Sequence, residues 1–215
     1  MSYNVIENPV TGERVIYRIA PTEENGWWSV SDRYARPGTR VTAPHVHPNS
    51  TETFTVVRGQ IAVRLGGHTS TARPGTRIEV PPGTPHDWWN AGHETAWVIV
   101  EASPGHQFER MTRNLFFLAA DGKTDNTGRP GLLQTALLAR EFDDTLRLTR
   151  PPRAVQRVLF AALAPLARWR GYRSSYPEYD QRVSGTVDEL EPLPPPIAAL
   201  LAGRMPGTAT AGPTT

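Results

Sequence analysis

The chain has 215 residues, 38% of them hydrophobic and 20% charged, which is the composition of a globular protein rather than of a disordered or fibrous one. Its 23 basic and 21 acidic side chains leave a formal net charge of +2, which argues against nucleic acid as a partner of the whole molecule. The absence of cysteine excludes disulfides, thiolate metal sites and thiol catalysis. Neither a secretory signal nor an apolar run of membrane-spanning length is visible, so we expect a cytoplasmic protein.

The first 103 residues carry the pattern of an all-β domain. Short runs rich in β-branched and aromatic residues alternate with turn clusters such as NPVTG, RPG and PPGTP. The predicted strands cover residues 14–19, 27–35, 52–58, 60–65, 77–80 and 96–102. Strands this short, with no helical segment between them, predict a mainly β fold, a sandwich or a small barrel, over residues 1–103.

Beyond Pro104 the hydrophobic period becomes helical. The apolar residues of the three predicted helices fall three or four positions apart: Phe108, Met111, Leu115 and Leu118 in the first, Leu138, Phe142 and Leu146 in the second, and Val155, Val158, Leu159, Ala162, Leu163 and Leu166 in the third. We expect residues 104–190 to form a helical extension that packs on the barrel or covers its mouth as a lid. The proline-rich residues 191–215 are expected to be disordered.

Two histidines and a glutamate lie close together in the stretch PHVHPNSTETFTVVRG, residues 44–59. Alternate side chains of a strand share a face, so His45 and His47 point the same way, and a hairpin could bring Glu52 to the same point. A second stretch, PGTRIEVPPGTPHDWWN, sets prolines and glycines around His86, which could supply a further ligand. Three neutral imidazoles and one carboxylate suit a divalent iron, manganese, nickel, copper or zinc ion, with one or two coordination positions left open.

These two stretches resemble the paired motifs of the cupin superfamily. The second motif matches throughout, at Gly75, Pro81, Gly83, His86 and Asn90. The first matches at His45, His47, Glu52 and Gly59, but six residues rather than five separate Gly38 from His45. The resemblance implies a small jelly-roll β-barrel, by analogy a homodimer, in which one divalent metal is bound by His45, His47, Glu52 and His86.

Three apolar side chains are candidates for the wall of a substrate pocket. Trp88 shares a strand face with His86, and Phe54 and Val56 follow Glu52 on its own face. Ordinary filling of the barrel interior is the alternative interpretation for all three residues.

Resemblance to cupins of the quercetin dioxygenase type implies a metal-dependent oxygenase, with iron as the first candidate metal and a small organic molecule, such as an aromatic one, as substrate. In such enzymes the carboxylate ligand also takes a proton from the substrate, which makes Glu52 the candidate catalytic residue. Two alternatives stay open, because one barrel hosts many functions: a redox-neutral isomerase, epimerase or cyclase that uses zinc or manganese, and a non-enzymatic binding module.

Residues 145–177 contain seven arginines and no acidic residue. A basic amphipathic helix of this kind can lie on an anionic membrane surface or dock a partner. We expect instead that its apolar stripe packs on the outer wall of the barrel while its arginines face water, because the barrel has an outer face that needs cover.

Overall fold

The computed structural model describes residues 2–40 and 43–204 of the chain. The strands of this part are β1 (Tyr3–Glu7), β2 (Arg14–Ile19), β3 (Ser29–Ala35), β4 (His45–Val46), β5 (Thr51–Arg58), β6 (Ile61–Leu65), β7 (His68–Ala72), β8 (Arg77–Val80), β9 (His86–Asn90), β10 (Ala96–Ser103), β11 (Arg147–Leu148) and β12 (Gly185–Val187). The helices are α1 (Phe108–Ala120), α2 (Leu132–Glu141), α3 (Arg153–Trp169) and α4 (Pro195–Ala202), with a 3₁₀-helix at Pro177–Tyr179.

The strands form two antiparallel sheets. One has the order β12-β1-β2-β3-β10-β5-β8 and the other the order β11-β4-β9-β6-β7. The main apolar core lies between them, because it joins residues of both sheets: Phe54, Val56, Val98 and Val100 from the first, and Ile61, Val63 and Trp88 from the second. This confirms the predicted mainly β, jelly-roll architecture followed by C-terminal helices.

Strand β10 is buried on both faces. Its outer face is the surface on which helix α4 packs. Val98 and Val100 point into the barrel, while Trp97 and Ile99 pack outside it. Helix α4 covers that outer face with Ile197 and Leu201, together with other side chains.

The prediction of disorder over residues 191–215 is therefore wrong for 195–202. Prolines are compatible with the first turn of a helix, and the apolar residues that follow them find a partner in β10. Residues 205–215 lie outside the described part of the chain.

The C-terminal extension returns two strands to the barrel. β12 pairs with β1, and β11 pairs with β4, with Leu148 opposite His45. The second predicted helix ends at Glu141 rather than continuing through Leu146, because residues 147–148 enter this second sheet. The segment after residue 103 is thus built into both sheets as well as into helices.

Helix α3 packs on α2 through small side chains. Ala164 and Ala167 contact Leu137, with Leu133 beside them, and Gln156 and Phe160 are also buried on this face. Small residues at a helix contact let the two axes approach closely.

The expectation that the apolar stripe of α3 packs on the barrel is wrong. Its members Val155, Val158 and Leu166 are exposed, because they lie on the side of the helix away from α2. Within the described residues, no helix is both long and apolar enough to cross a membrane.

Candidate metal centre

The four predicted ligands come together inside the barrel. His45 and His86 lie opposite each other on paired strands β4 and β9, His47 follows β4, and Glu52 lies on β5 of the facing sheet. One ligand atom from each residue lies within 4.8 Å of the others, and all four residues are buried. The turn between residues 47 and 52 therefore carries the chain from one sheet to the other across the site.

Backbone carbonyls orient all three imidazoles in the same way. The Nδ1–O distances are 2.9 Å from His45 to Ala43, 2.6 Å from His47 to Thr145, and 2.9 Å from His86 to Thr84. A carbonyl oxygen can only accept, so each Nδ1–H donates, and each Nε2 is turned towards the site. The carbonyl of Thr145 belongs to the C-terminal extension, which thus orients a candidate ligand of the barrel.

The Nε2 atoms and the Glu52 carboxylate converge on one point. His45 Nε2 lies 3.1 Å from His47 Nε2, and Glu52 Oε2 lies 2.9 Å from His86 Nε2 and 3.3 Å from His47 Nε2. Fixing the proton on the other ring nitrogen is the arrangement by which proteins prepare a histidine to ligate a metal.

Burial and neighbouring charges shift the pKa values of these groups. Burial is the largest cause that lowers the pKa of His45, and together with the neighbouring His47 and His86 it brings that pKa to about 3. Burial raises the pKa of Glu52, but the two neighbouring histidines outweigh that effect and hold it well below its ordinary value. Burial lowers the pKa of His86, yet its hydrogen bond to Glu52 prevails and raises it.

The donor set fits a first-row transition metal. At pH 7, Glu52 is ionised and His45 is neutral, which are the states that ligate a cation. Imidazole nitrogens favour zinc, copper, iron and nickel, whereas magnesium and calcium prefer all-oxygen sites. This buried group could therefore bind a metal ion, and its chemistry is compatible with several members of the series.

A cavity of about 700 Å³ opens onto this group. His45, His47 and Glu52 line it on the barrel side. The extension supplies an apolar wall that includes Phe108, Met111, Leu138, Phe142, Leu146 and Leu148. The helices thus cover the side of the barrel where His45, His47 and Glu52 border the cavity.

The three predicted wall residues divide into two groups. Trp88 lines the cavity. Phe54 and Val56 are not among the described residues that line it, because both are completely buried in the barrel core, Phe54 with its ring 5.8 Å from that of Trp88. For these two side chains the structure supports barrel filling rather than contact with a substrate.

A buried ion pair on the cavity wall was missed by the sequence reasoning. Arg33 Nη1 donates to Glu13 Oε1 at 2.8 Å, and both residues line the cavity. Burial raises the pKa of Glu13, and Arg33 only partly opposes it. The sequence pattern does point to this position. Arg33 lies on the same face of β3 as Ser31 and Ala35, whose small side chains leave room for an inward guanidinium.

The segment that contains the four candidate ligands matches a known protein family. The family model described as "Cupin domain" matches residues 35–101. Probable oxidoreductase virH of Hypocrea virens is 30% identical over 176 residues, which cover 73% of this chain and 78% of that protein. Polyketide synthase CurC of Streptomyces cyaneus is 36% identical over 69 residues, 32% of this chain and 44% of CurC, so the match spans less than half of that relative.

Solved structures overlap with part of the chain. An uncharacterized conserved protein with a double-stranded beta-helix domain from Klebsiella pneumoniae is 30% identical, with 38% of this chain and 67% of that chain covered and a TM-score of 0.36. A cupin-like protein from Thermotoga maritima is 24% identical, with 44% and 70% covered and a TM-score of 0.40.

Proposed function

This chain belongs to the cupin superfamily, and from that premise we propose that it is a metal-dependent oxygenase of a small, largely apolar organic molecule. The observation that carries the proposal is the convergence of three Nε2 atoms and one carboxylate on a point that opens into an apolar cavity. The similarity to a probable oxidoreductase over most of both chains supports a redox reaction.

His45, His47, Glu52 and His86 would hold the metal, with iron as the first candidate and nickel, manganese, copper and zinc as the others. The metal would supply a site that activates dioxygen and polarises a substrate oxygen. Glu52 has a second role in this proposal. Its carboxylate lines the cavity and is ionised, so it would accept the proton that an acidic C–H or O–H of the substrate releases.

The cavity supports a substrate larger than a sugar, with one polar end. Its wall of phenylalanine, leucine and methionine side chains would bury an aromatic or polycyclic skeleton. The Arg33–Glu13 pair would orient that skeleton by hydrogen bonding to a hydroxyl or carbonyl group. The relative named as a polyketide synthase supports a polyketide as the substrate class.

A redox-neutral isomerase or cyclase is the second candidate. Glu13 favours it, because a buried carboxyl with a raised pKa on the cavity wall is suited to move a proton without a change of oxidation state. In that reaction zinc or manganese would act as a Lewis acid on the substrate oxygen.

The test begins with elemental analysis of protein purified without added metal, beside Glu52→Ala, His86→Ala and the control His68→Ala, whose histidine is exposed on β7. We expect near-stoichiometric iron, nickel or copper in the unchanged protein and the control, and its loss in the two site variants. Circular dichroism establishes that each variant is folded.

Dioxygen consumption with a panel of phenolic polycyclic compounds then separates the two reactions. Substrate-dependent uptake that the metal-depleted protein lacks supports the oxygenase. Turnover without uptake, with zinc or manganese bound, supports the isomerase or cyclase. A protein that neither retains nor takes up any of these metals would refute the four-ligand site.

A further inference from the structure

The outward face of α3 is an apolar surface on a helix whose other face is already packed. Val155, Val158, Leu166 and Trp169 are 50%, 73%, 42% and 78% exposed. Ten large hydrophobic residues are exposed in the described part of the chain, and five of them lie between residues 155 and 172. Isolated exposed hydrophobic residues are ordinary, but a contiguous patch marks an interaction surface.

We call this patch the α3 face and define it by seven residues at helical spacing: Val155, Val158, Leu159, Ala162, Pro165, Leu166 and Trp169. At 100° per residue they occupy about 120° of the helix circumference, centred opposite the side that packs on α2. The α3 face therefore lies on the far side of α2 from the cavity, since α2 also contributes to the cavity wall.

Arginines border the α3 face. Arg157 and Arg168 lie on one side of it, about 100° from Val158 and Trp169, and Arg170 ends the helix beside Trp169. Within the described residues, none of these three arginines forms an ion pair, and all three are exposed. Because residues 145–177 contain no acidic residue, this border presents positive charge.

The charge decides which occupant the face fits. A second copy of the chain, related by a two-fold axis, would set the arginine-rich segment of one molecule against the same segment of the other. Like charges brought together in this way oppose association. The face is complemented by an occupant that carries negative charge at the depth of the arginines and is apolar at the depth of Val158. An anionic lipid leaflet has that layering.

We propose that α3 is an interfacial helix that docks the protein on anionic membranes. The helix lies parallel to the surface with its apolar residues at the boundary of headgroups and acyl chains. Arg157, Arg168 and Arg170 lie at the level of the lipid phosphates, and the Trp169 indole lies at the interface, where tryptophan is enriched in membrane proteins. This proposal is independent of the reaction, because the α3 face contributes no side chain to the cavity.

Sedimentation of the full chain with vesicles tests it. We expect binding to mixed phosphatidylserine–phosphatidylcholine vesicles at low ionic strength, weak binding to pure phosphatidylcholine, and release at ~1 M salt, where the Debye length is ~3 Å. Val158→Asp should weaken binding by more than about tenfold, since a carboxylate would enter the interface. The matched control Leu200→Asp alters an exposed residue of α4 and should bind as the unchanged protein does.

A second pair of variants tests the arginines. Arg157→Ser should weaken binding about fivefold, as expected for one cation near an anionic leaflet, while Arg73→Ser, at an exposed site in the barrel, should not. Trp169→Phe should remove the blue shift of tryptophan emission that vesicles produce. Unchanged metal content and melting temperature show that the variants are folded.

Two outcomes would overturn the proposal. One is the absence of vesicle binding at low ionic strength by the unchanged protein. The other is binding that Val158→Asp and Leu200→Asp weaken equally, which would locate the contact elsewhere. A concentration-dependent dimer in light scattering that Val158→Asp abolishes, without any vesicle binding, would assign the face to a second copy instead.

Discussion

The buried pair on the cavity wall leads to a quantitative prediction for Arg33→Met. The side chains of Arg33 and Glu13 are only 10% and 1% exposed, and their closest N–O distance is 2.8 Å. Methionine keeps most of the volume of the arginine stem but removes the cation. The Glu13 carboxylate then stays buried without its charge partner.

Removing one partner of a buried ion pair costs about 3–5 kcal/mol of unfolding free energy. Because this pair borders a cavity that admits water, we expect the lower end of that range, about 3 kcal/mol. For a chain of 215 residues this corresponds to a fall of ~6–12 °C in the melting temperature. The double variant Glu13→Leu/Arg33→Met should recover to within about 1 kcal/mol, because an apolar pair replaces an ionic pair at little net cost.

The deficit of Arg33→Met should also depend on pH. Burial raises the pKa of Glu13, and the loss of Arg33, which lowers it, raises it further in the folded protein. As the pH falls, a carboxyl whose pKa is higher in the folded state is protonated in the folded protein before it is protonated in the unfolded chain. The variant's deficit is therefore greatest at neutral pH and shrinks as the pH falls towards the unfolded value of 4.5.

Thermal and urea unfolding of the two single variants and the double variant, followed by circular dichroism between pH 5 and pH 8, completes the cycle. An unfolding free energy of Arg33→Met within about 1 kcal/mol of that of the unchanged protein would contradict this prediction and would mean that cavity water solvates Glu13. A double variant as unstable as Arg33→Met would contradict it as well.

Three further predictions follow from local geometry. Gly59→Ala should lower the free energy of unfolding by about 2–4 kcal/mol, because φ is +80° and an added Cβ would lie 2.9 Å from the backbone of β10. Gly75→Ala, at φ +86° in open space, should lower it by only about 1–2 kcal/mol. Urea unfolding measures both. Asp121→Asn should cost about 1–2 kcal/mol at pH 7, through weaker bonds to the tyrosine and arginine that donate at 2.5 and 2.6 Å. These donors lower the pKa of Asp121 in the folded protein. The difference in melting temperature between the unchanged protein and Asp121→Asn should therefore be constant above pH 5 and become smaller as the pH falls below 3.8. Trp88→Phe should change the KM for an apolar substrate by about five- to tenfold, whereas Phe54→Leu, which lies behind the wall, should lower the melting temperature and leave KM unchanged.

Local patterns predicted the strands and the shared face of two candidate ligands, and the resemblance to cupins implied the jelly-roll barrel and the full ligand set. Period-two alternation assigns His45 and His47 to one face of a strand whatever the rest of the chain does. The strands over residues 14–19 and 77–80 were placed at their observed bounds, because turn residues delimit them. What local patterns could not predict is that the Thr145 carbonyl orients His47, since the two residues lie 98 positions apart in the chain.

Amphipathic periodicity predicted helix α3 but not which of its faces would be buried. A helical stripe shows only that two faces differ, and the choice of the face that meets a neighbour depends on the shape of that neighbour. Helix α2 packs against Ala164 and Ala167 of α3, because small side chains allow close packing. The larger residues Val155 and Val158 of α3 therefore face outwards.

The sequence by itself determined the class of the fold and the donor set of the candidate metal centre, because both depend on residue types at short, regular spacings. The tertiary structure decided which distant segments meet around these features and which surfaces stay exposed. Contacts between distant segments close the cavity with the extension, bury Glu13 beside Arg33, order α4 against β10 and leave the α3 face uncovered. Such contacts arise from the packing free energy of the whole chain, which no local window of sequence contains.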